Sequence, residues 1–194
     1  MTGVQTCALP IYDAAGEAFD KTAKILGLGF PGGPAVEAAA ARGDAKAVPL
    51  PRPLKGSAEP HFSFAGLKAA VARAAPDHAA DDVAASFQAA VVDCLVDRTR
   101  KALREAHGAT ALVVAGGVAA NTAVRAGLQD VAHAHDLRFV APPLWLCTDN
   151  AAMIAWAGAE RFAAGLVDPL DTPARARWPL DPAAEAVRGA GVKA

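Results

Sequence analysis

The sequence lacks an excess of charge of either sign and any long apolar run. Its 19 Lys and Arg residues offset 20 Asp and Glu residues, for a net charge of -1, so no global basic field indicates a nucleic-acid partner. No apolar run reaches the roughly 20 residues that span a bilayer, and no basic segment precedes the short apolar run at the N-terminus, which disfavours a signal peptide. We therefore expect a cytoplasmic protein without membrane contact. Any RNA would bind to a local basic patch or to a partner protein.

Cysteine and paired histidine are also scarce. Cys7, Cys94 and Cys147 are scattered, without the paired spacing of a zinc site or the density of a disulfide scaffold. The five histidines form no helical HxxxH pair and no HExxH motif, which disfavours a metalloprotease. His133 and His135 straddle a predicted helix end and are expected on the surface. This pattern is typical of a protein from a reducing cytosol.

Alanine, glycine and proline are abundant instead. Hydrophobic residues make up 53% and charged residues 20% of the chain, which favours a folded, helix-rich protein over a disordered one. A length of 194 residues accommodates one core, or one lobe of a larger two-lobed protein.

Helical and strand patterns alternate along the chain and predict an α/β sheet with covered faces. Strands are predicted at 61–64, 111–115 and 137–142, with 111–115 buried. Segment 44–59 is rich in proline and charge and is predicted to be an extended surface connection. The periodicity predicts helices over 12–26, from Pro34 to about 42, after Gly66, over 81–106, over 119–133 and after Thr148.

The helix over 81–106 has an apolar and a basic side. Its predicted buried residues are Val83, Phe87, Val91, Cys94 and Leu95. Its predicted exposed residues are Arg98, Arg100, Lys101 and Arg104. The basic run is interpreted as a solvated face rather than an RNA contact.

Segment 113–121, VVAGGVAAN, combines a strand, a glycine pair and a helix start. This layout lets backbone N–H groups approach a phosphate or nucleotide, although such a turn also needs small residues for steric reasons alone. Asn121 is expected one turn into the helix, where its amide either binds a ligand or faces solvent.

Two further segments have both a structural and a chemical interpretation. In CTDNAAMIAWAG, Asp149 lies near a helix start and is either an N-cap or a metal ligand, which would need partners elsewhere. Glu17, Asp20 and Lys21 are interpreted as an exposed helix face with local ion pairing, and PGGP at 31–34 as a tight turn.

Five blocks occur in a characteristic order: DAAGEAFDKTAKILGLGFPGGP, FSFAGLK, ASFQAAVVD, VVAGGVAAN and CTDNAAMIAWAG. Over about residues 12–181 the chain resembles the family of tRNA adenosine threonylcarbamoyl transferases. The resemblance implies the actin-like ATPase fold, shared with sugar kinases. It also implies the reaction, in which the threonylcarbamoyl group of threonylcarbamoyl-AMP passes to N6 of the adenosine 3′ of the anticodon in tRNAs that read codons beginning with A.

The resemblance assigns roles residue by residue. Asp20, Gly33 and Glu37 would line the adenylate, with the carboxylates accepting hydrogen bonds from ribose hydroxyls. Gly116 and Gly117 would allow close approach of the ligand, and Asn121 would contact it. Asp149 would ligate one divalent metal ion, iron or zinc. No residue of this part is an obvious general base.

The sequence also departs from the family pattern. Ala65 stands where the family has a serine, and the HxxxH pair that supplies the other metal ligands belongs to an N-terminal lobe absent here. Residues 1–11, MTGVQTCALPI, match nothing in the family and are interpreted as a foreign, adapter-derived segment. We therefore expect a truncated actin-like lobe over 12–165, inactive alone, with a tail over 166–194.

The family implies tRNA and accessory proteins of the TsaB and TsaE type as partners, which make the adenylate and form a transferase complex. The main alternative is the lobe of another actin-like ATPase or sugar kinase, which would share the strand, glycine pair and helix but not the CTDNAA block.

Overall fold

The computed structural model describes residues 14–58, 61–148 and 150–172. This part is mainly helical and contains one small parallel sheet. The helices are α1 Ala15–Leu26, α2 Gly32–Ala40, α3 Ala65–Ala74, α4 Ala80–Leu103, α5 Thr122–Ala134 and α6 Ala151–Ala163. The strands are β1 Ala111–Val113 and β2 Arg138–Val140, and short 3-10 helices span Gly117–Ala120 and Leu144–Leu146. The mixed α/β class predicted from the sequence is confirmed. Among the described helices, none has the length and apolarity that crossing a bilayer requires.

The core lies where α1, α2 and α3 pack around α4. Phe19 of α1 meets Phe87 of α4 edge to face, with ring centroids 5.1 Å apart, a preferred geometry for aromatic pairs. As predicted, Val83, Val91 and Cys94 lie on the buried side of α4. Burial of Cys94 raises the pKa of its thiol from 9.0 to about 11, so this side chain behaves as a small apolar core residue at neutral pH.

Glycines determine where α1 ends and how α2 begins. Gly27 adopts a left-handed conformation with φ 67° and donates its N–H to the carbonyls of Ala23 and Lys24, which ends α1 as predicted. Helix α2 begins two residues before Pro34, at Gly32. Pro34 therefore lies in the first turn rather than at the first position, which is permitted because the first-turn N–H groups have no partner within the helix.

The predicted strand at 61–64 is wrong. This segment has only an isolated bridge at Phe62, and Phe64, which is 1% exposed, precedes α3 and packs into the helical core. The alternating aromatic residues anchor the start of a helix, and a single short segment needs a neighbouring strand to form a sheet.

Two predictions about exposure are also wrong. Segment 44–58 is not a surface connection throughout, because Val48 and Leu50 are buried in the core. Arg98 is 2% exposed rather than solvated. Its guanidinium donates to the backbone oxygen and the hydroxyl of Ser57, and it pairs with Asp97. These bonds compensate the cost of burying the charge.

The sheet consists of β1 and β2 in parallel, with Leu112 opposite Phe139. Although β1 was expected to be buried, Val113 is 66% exposed. Parallel strands are normally covered on both faces, and in the described part of the chain this face of β1 is open. His133 and His135 are exposed at the end of α5, as predicted.

Candidate functional site

The junction between α1 and α2 is held by Asp20. Its Oδ1 accepts a hydrogen bond from the N–H of Gly32 over 2.9 Å. A Cβ atom on Gly32 would lie 2.4 Å from Cα of Asp20, so only glycine fits at this contact. At Gly33, by contrast, nothing lies within 4 Å of the corresponding position. Asp20 therefore stabilises the N-terminus of α2 through Gly32, whereas Gly33 borders open space.

The turn between β1 and α5 contains the predicted glycine pair. Gly116 has a φ of 85°, and Gly117 begins the 3-10 helix. Asn121 does not lie one turn into the helix, as expected, but caps it: its Oδ1 accepts from the N–H of Val124 over 3.0 Å. The predicted helix start at 119 was wrong because the segment after the glycine pair forms a 3-10 helix before α5 begins.

Residues from three separate segments of the chain meet at the start of α5. The Glu37 carboxylate of α2 accepts from the N–H of Thr122 over 2.7 Å and from the Thr122 hydroxyl. On the other side, Nδ2 of Asn121 donates to Oε1 of Gln88, in α4, over 2.8 Å. These contacts join residues 85 and 33 positions apart in sequence. The described structure thus brings Glu37 and Asn121 to adjacent positions of one helix terminus.

A groove of about 610 Å³ opens beside Asp20. It is bordered by Glu17, Lys21 and Lys24 and by Phe30, which is 86% exposed. The hydrogen bond and charge of Lys21, together with the charge of Lys68, lower the pKa of the exposed Glu17 carboxyl. The groove therefore carries charges of both signs beside one exposed aromatic ring.

A larger apolar cleft of about 850 Å³ lies at the glycine pair. Gly116 and Gly117 form one side, and Trp145 and Trp156 are among the residues that line the rest. This volume falls within the range of ligand pockets. The cleft is also lined by Thr148 and Asn150, the neighbours of position 149.

The predicted metal ligand, Asp149, lies outside the described residues. The cap of α6 is Asn150, whose Oδ1 accepts from the N–H of Met153 over 2.9 Å. Within the described ranges, no three His, Cys, Asp or Glu side chains come together in a way that could hold a metal ion. The described residues therefore do not fit a metal centre on their own.

Sequence reasoning missed two residues of this region, Gln88 and Thr122. Gln88 belongs to the ASFQAAVVD block and Thr122 follows VVAGGVAAN directly. Their positions within or directly after these blocks were the available signal. Their bonding partners are distant in sequence, so no local periodicity could identify them.

Comparisons with known proteins agree with one another. The family model of tRNA N6-adenosine threonylcarbamoyltransferase (TsaD) matches residues 4–156, so the match overlaps most of segment 1–11. Relatives that bear this name include proteins from Sphingopyxis alaskensis, 76% identical over 189 residues, and Novosphingobium aromaticivorans, 69% identical over 190 residues. These alignments cover 96% of this chain and 55% and 54% of the relatives, respectively.

A more distant relative with the same name, from Rhodospirillum rubrum, is 58% identical over an alignment of 193 positions that covers 93% of this chain and 53% of that protein. The chain thus spans about half the length of the curated relatives it matches. Because the family match extends over most of the chain and includes the glycine pair, Asn121 and Glu37, the chain belongs to the tRNA N6-adenosine threonylcarbamoyltransferase family.

Proposed function

We propose that the intact protein transfers the threonylcarbamoyl group of threonylcarbamoyl-AMP to N6 of the adenosine 3′ of the anticodon in tRNAs that read codons beginning with A. N6 forms a bond to the carbamoyl carbon and loses a proton, and the bond from that carbon to the phosphate oxygen breaks, releasing AMP. The observation that carries the proposal is the hydrogen bonding of Glu37 to Thr122, which joins α2 to the start of α5, directly after the VVAGGVAAN block with its glycine pair.

The carboxylates of this site retain capacity for a ligand. In the described contacts, Asp20 uses Oδ1 for Gly32 and Glu37 uses Oε1 for Thr122. A carboxylate offers about four acceptor positions on its two oxygens, so each second oxygen can accept from a ribose hydroxyl. The role of these residues is to bind and orient the adenylate, while Gly116 and Gly117 permit its close approach because they lack side chains.

We assign the chain to an actin-like ATPase lobe that spans 12–165 and is incomplete alone. The parallel pair β1 and β2, connected by a glycine turn and a helix, supports this fold. Asp149 would supply one metal ligand, iron or zinc being the metal, and the HxxxH pair expected in the missing lobe would supply others. Because these donors are not among the described residues, no catalytic step is assigned to the metal.

The proposed partners are tRNA and the accessory proteins that make the adenylate and form the transferase complex. The chain's near-neutral charge suits a protein that relies on a partner for part of its basic RNA-binding surface. The unpaired thiols of Cys94 and Cys147, in the described part, fit a reducing cytoplasm.

Complementation tests the proposal directly. The chain is expressed alone and with the part of the 76% identical relative that it does not match, and transfer to tRNA is measured by nucleoside mass spectrometry with threonylcarbamoyl-AMP supplied. We expect modified adenosine only with both parts present, and a strong decrease for Glu37→Gln. An associated pair that leaves tRNA unmodified, while the full-length relative modifies it, would refute the proposal.

A further inference from the structure

The ASFQAAVVD block contributes one polar side chain to the candidate site, and no function has been assigned to it so far. We propose that Gln88 is a positioning residue that holds the Asn121 amide in one orientation and thereby shapes the ligand-binding turn Gly116–Asn121. The inference rests on the proposed function in one respect, namely that this turn receives an adenine nucleotide.

The hydrogen bonds define the orientation of the amide. Oδ1 of Asn121 must face α5, because it accepts from the N–H of Val124 over 3.0 Å. Nδ2 then points to the opposite side, where Oε1 of Gln88 accepts over 2.8 Å. Asn121 is only 6% exposed, so water cannot readily replace a lost partner. Both ends of the amide are therefore assigned by protein contacts.

Close packing of two helices keeps Gln88 at this distance. A Cβ atom on Gly127 of α5 would lie 3.0 Å from Val92 and 3.1 Å from Val96, both on α4. A larger residue at this contact would push the helices apart. Gln88 lies one turn before Val92 on the same helix. The close contact at Gly127 therefore fixes the side-chain carbonyl of Gln88 relative to the N-terminus of α5.

The turn itself is connected to the Asn121 side chain through the backbone. Asn121 donates its own N–H to the carbonyl of Val118 over 3.2 Å, and Val118 directly follows the glycine pair. If a substitution removes the acceptor Oε1 of Gln88, Nδ2 of Asn121 is left buried without a partner, which costs free energy. The side chain then rotates to find one, which weakens the cap and relaxes the turn at Gly117.

One hydrogen on Nδ2 remains after the bond to Gln88, because an asparagine amide carries two donors. By fixing the Asn121 amide, Gln88 consequently sets the direction of this second Nδ2 hydrogen as well as the position of the Oδ1 atom that caps α5. A ligand approaching the turn meets an amide whose donor and acceptor ends cannot exchange. This explains why the site uses a glutamine of α4 rather than a purely apolar helix contact at this position.

Five variants, made from four substitutions, separate positioning from general stability. Gln88→Leu removes the acceptor, whereas Gln88→Glu keeps one. Asn121→Asp keeps the cap, and Gln88 can rotate to donate to the new carboxylate. The double variant Q88E/N121D places two carboxylates together and should lose the contact. Ser86→Ala is the matched control, because Ser86 is buried on the same helix but bonds to Val48 and Asp44 instead.

The test uses the 194-residue chain with two measurements. Side-chain amide exchange of Asn121, followed by nitrogen-15 NMR, should accelerate in Gln88→Leu and remain slow in Gln88→Glu and Ser86→Ala. Titration with AMP should show about tenfold weaker binding for Gln88→Leu, since the cost of leaving a buried donor unpaired is of this order. Gln88→Glu should stay within about twofold of the wild type.

The outcomes distinguish the two proposals. If the Asn121 amide exchanges equally slowly in Gln88→Leu, or if Ser86→Ala weakens AMP binding as much as Gln88→Leu, the positioning role is refuted. If Gln88→Leu accelerates exchange but the wild-type chain binds no AMP even when complemented with its missing part, the positioning of the amide stands and the proposed nucleotide site fails.

Discussion

Gly32 and Gly33 are adjacent in the sequence but have different surroundings. A Cβ atom on Gly32 would clash with Cα of Asp20 at 2.4 Å, whereas at Gly33 nothing lies within 4 Å of that position. The clash involves backbone, which cannot move without shifting α1 against α2. Of the two glycines, the first is therefore required for packing, and the second is available for a ligand.

Substitution of these glycines should have opposite effects on stability. Gly32→Ala should lower the free energy of unfolding by about 2 kcal/mol or more, because it overpacks a helix junction and displaces the N–H that Asp20 accepts. Gly33→Ala should change it by roughly 1 kcal/mol at most, and toward stabilisation, since alanine favours a helix. Urea unfolding followed by circular dichroism measures both, and equal values would contradict this assignment.

Single residues also mark the limit of prediction from the sequence. The resemblance to the family predicted Asp20, Glu37 and Asn121 as members of one site. Their bonding partners, among them Gln88 and Thr122, could not be derived, because these contacts depend on how helices pack. A block pattern identifies which residues belong together, whereas the fold determines which atoms touch.

At the scale of elements, the loop that follows Leu50 is fastened along α4. Arg52 pairs with Asp93 over 3.0 Å, and the N–H of Gly56 donates to Asp97 over 3.0 Å. Arg98 bonds to Ser57 at the end of this row. The loop lacks regular secondary structure, and these polar contacts with one face of α4 replace backbone pairing.

Because of this row of contacts, the free energy of unfolding should decrease as the pH falls in the acid range. Burial alone would raise the pKa of Asp97, but the hydrogen bonds from Arg98 and the Gly56 N–H outweigh it and hold the pKa below its ordinary value of 3.8. A lowered pKa in the folded state means that the contribution is fully present above 3.8 and is lost as the pH falls through the lowered value.

Asp97→Asn tests this contribution. The variant should lose about 1 kcal/mol of unfolding free energy at neutral pH and should lose less than the wild type on further acidification to about pH 3. Glu105→Gln serves as control, because Glu105 pairs with Lys101 at the exposed end of α4 and such pairs contribute little. Parallel acid profiles for the wild type and Asp97→Asn would show that Asp97 does not carry the effect.

Elements were predicted well where a local pattern determines them. Helices α1 and α4 followed from apolar residues at three- and four-residue steps, and Gly27 determined where α1 ends. The predictions for 61–64 and 44–58 failed because alternating or proline-rich segments acquire their conformation from the surfaces they meet. Phe64 and Val48 enter a helical core that no local pattern describes.

At the scale of the whole molecule, α6 has no core to join in the described part of the chain, since none of its residues is buried. Its exposed side chains include Ile154, Trp156 and Phe162, with exposures of 68%, 71% and 77%. Ile154 and Trp156 lie about 200° apart around the helix axis, so α6 exposes apolar side chains on more than one side, and a helix of this kind is normally buried against other protein. Because the chain spans about half the length of the relatives it matches, we expect the part of those relatives that it does not match to cover this helix.

Trp156→Glu should separate the folding of the chain from its assembly. In the chain alone, its unfolding free energy should stay within roughly 0.5 kcal/mol of the wild type, as for other surface substitutions, while self-association and binding of a hydrophobic dye decrease. Its affinity for the unmatched part of the 76% identical relative should fall by at least about tenfold, since buried tryptophans dominate interface energies.

Glu160→Gln on the same helix provides the control and should leave both the unfolding free energy of the chain and its affinity for the unmatched part unchanged. Urea unfolding, light scattering and a titration of the two parts measure the three quantities. A large loss of stability in the isolated Trp156→Glu chain would mean that α6 packs against the rest of this chain. Unchanged affinity would mean that the unmatched part of the relative binds a different surface, and the cleft between α6 and the glycine pair would then have to be completed by another molecule.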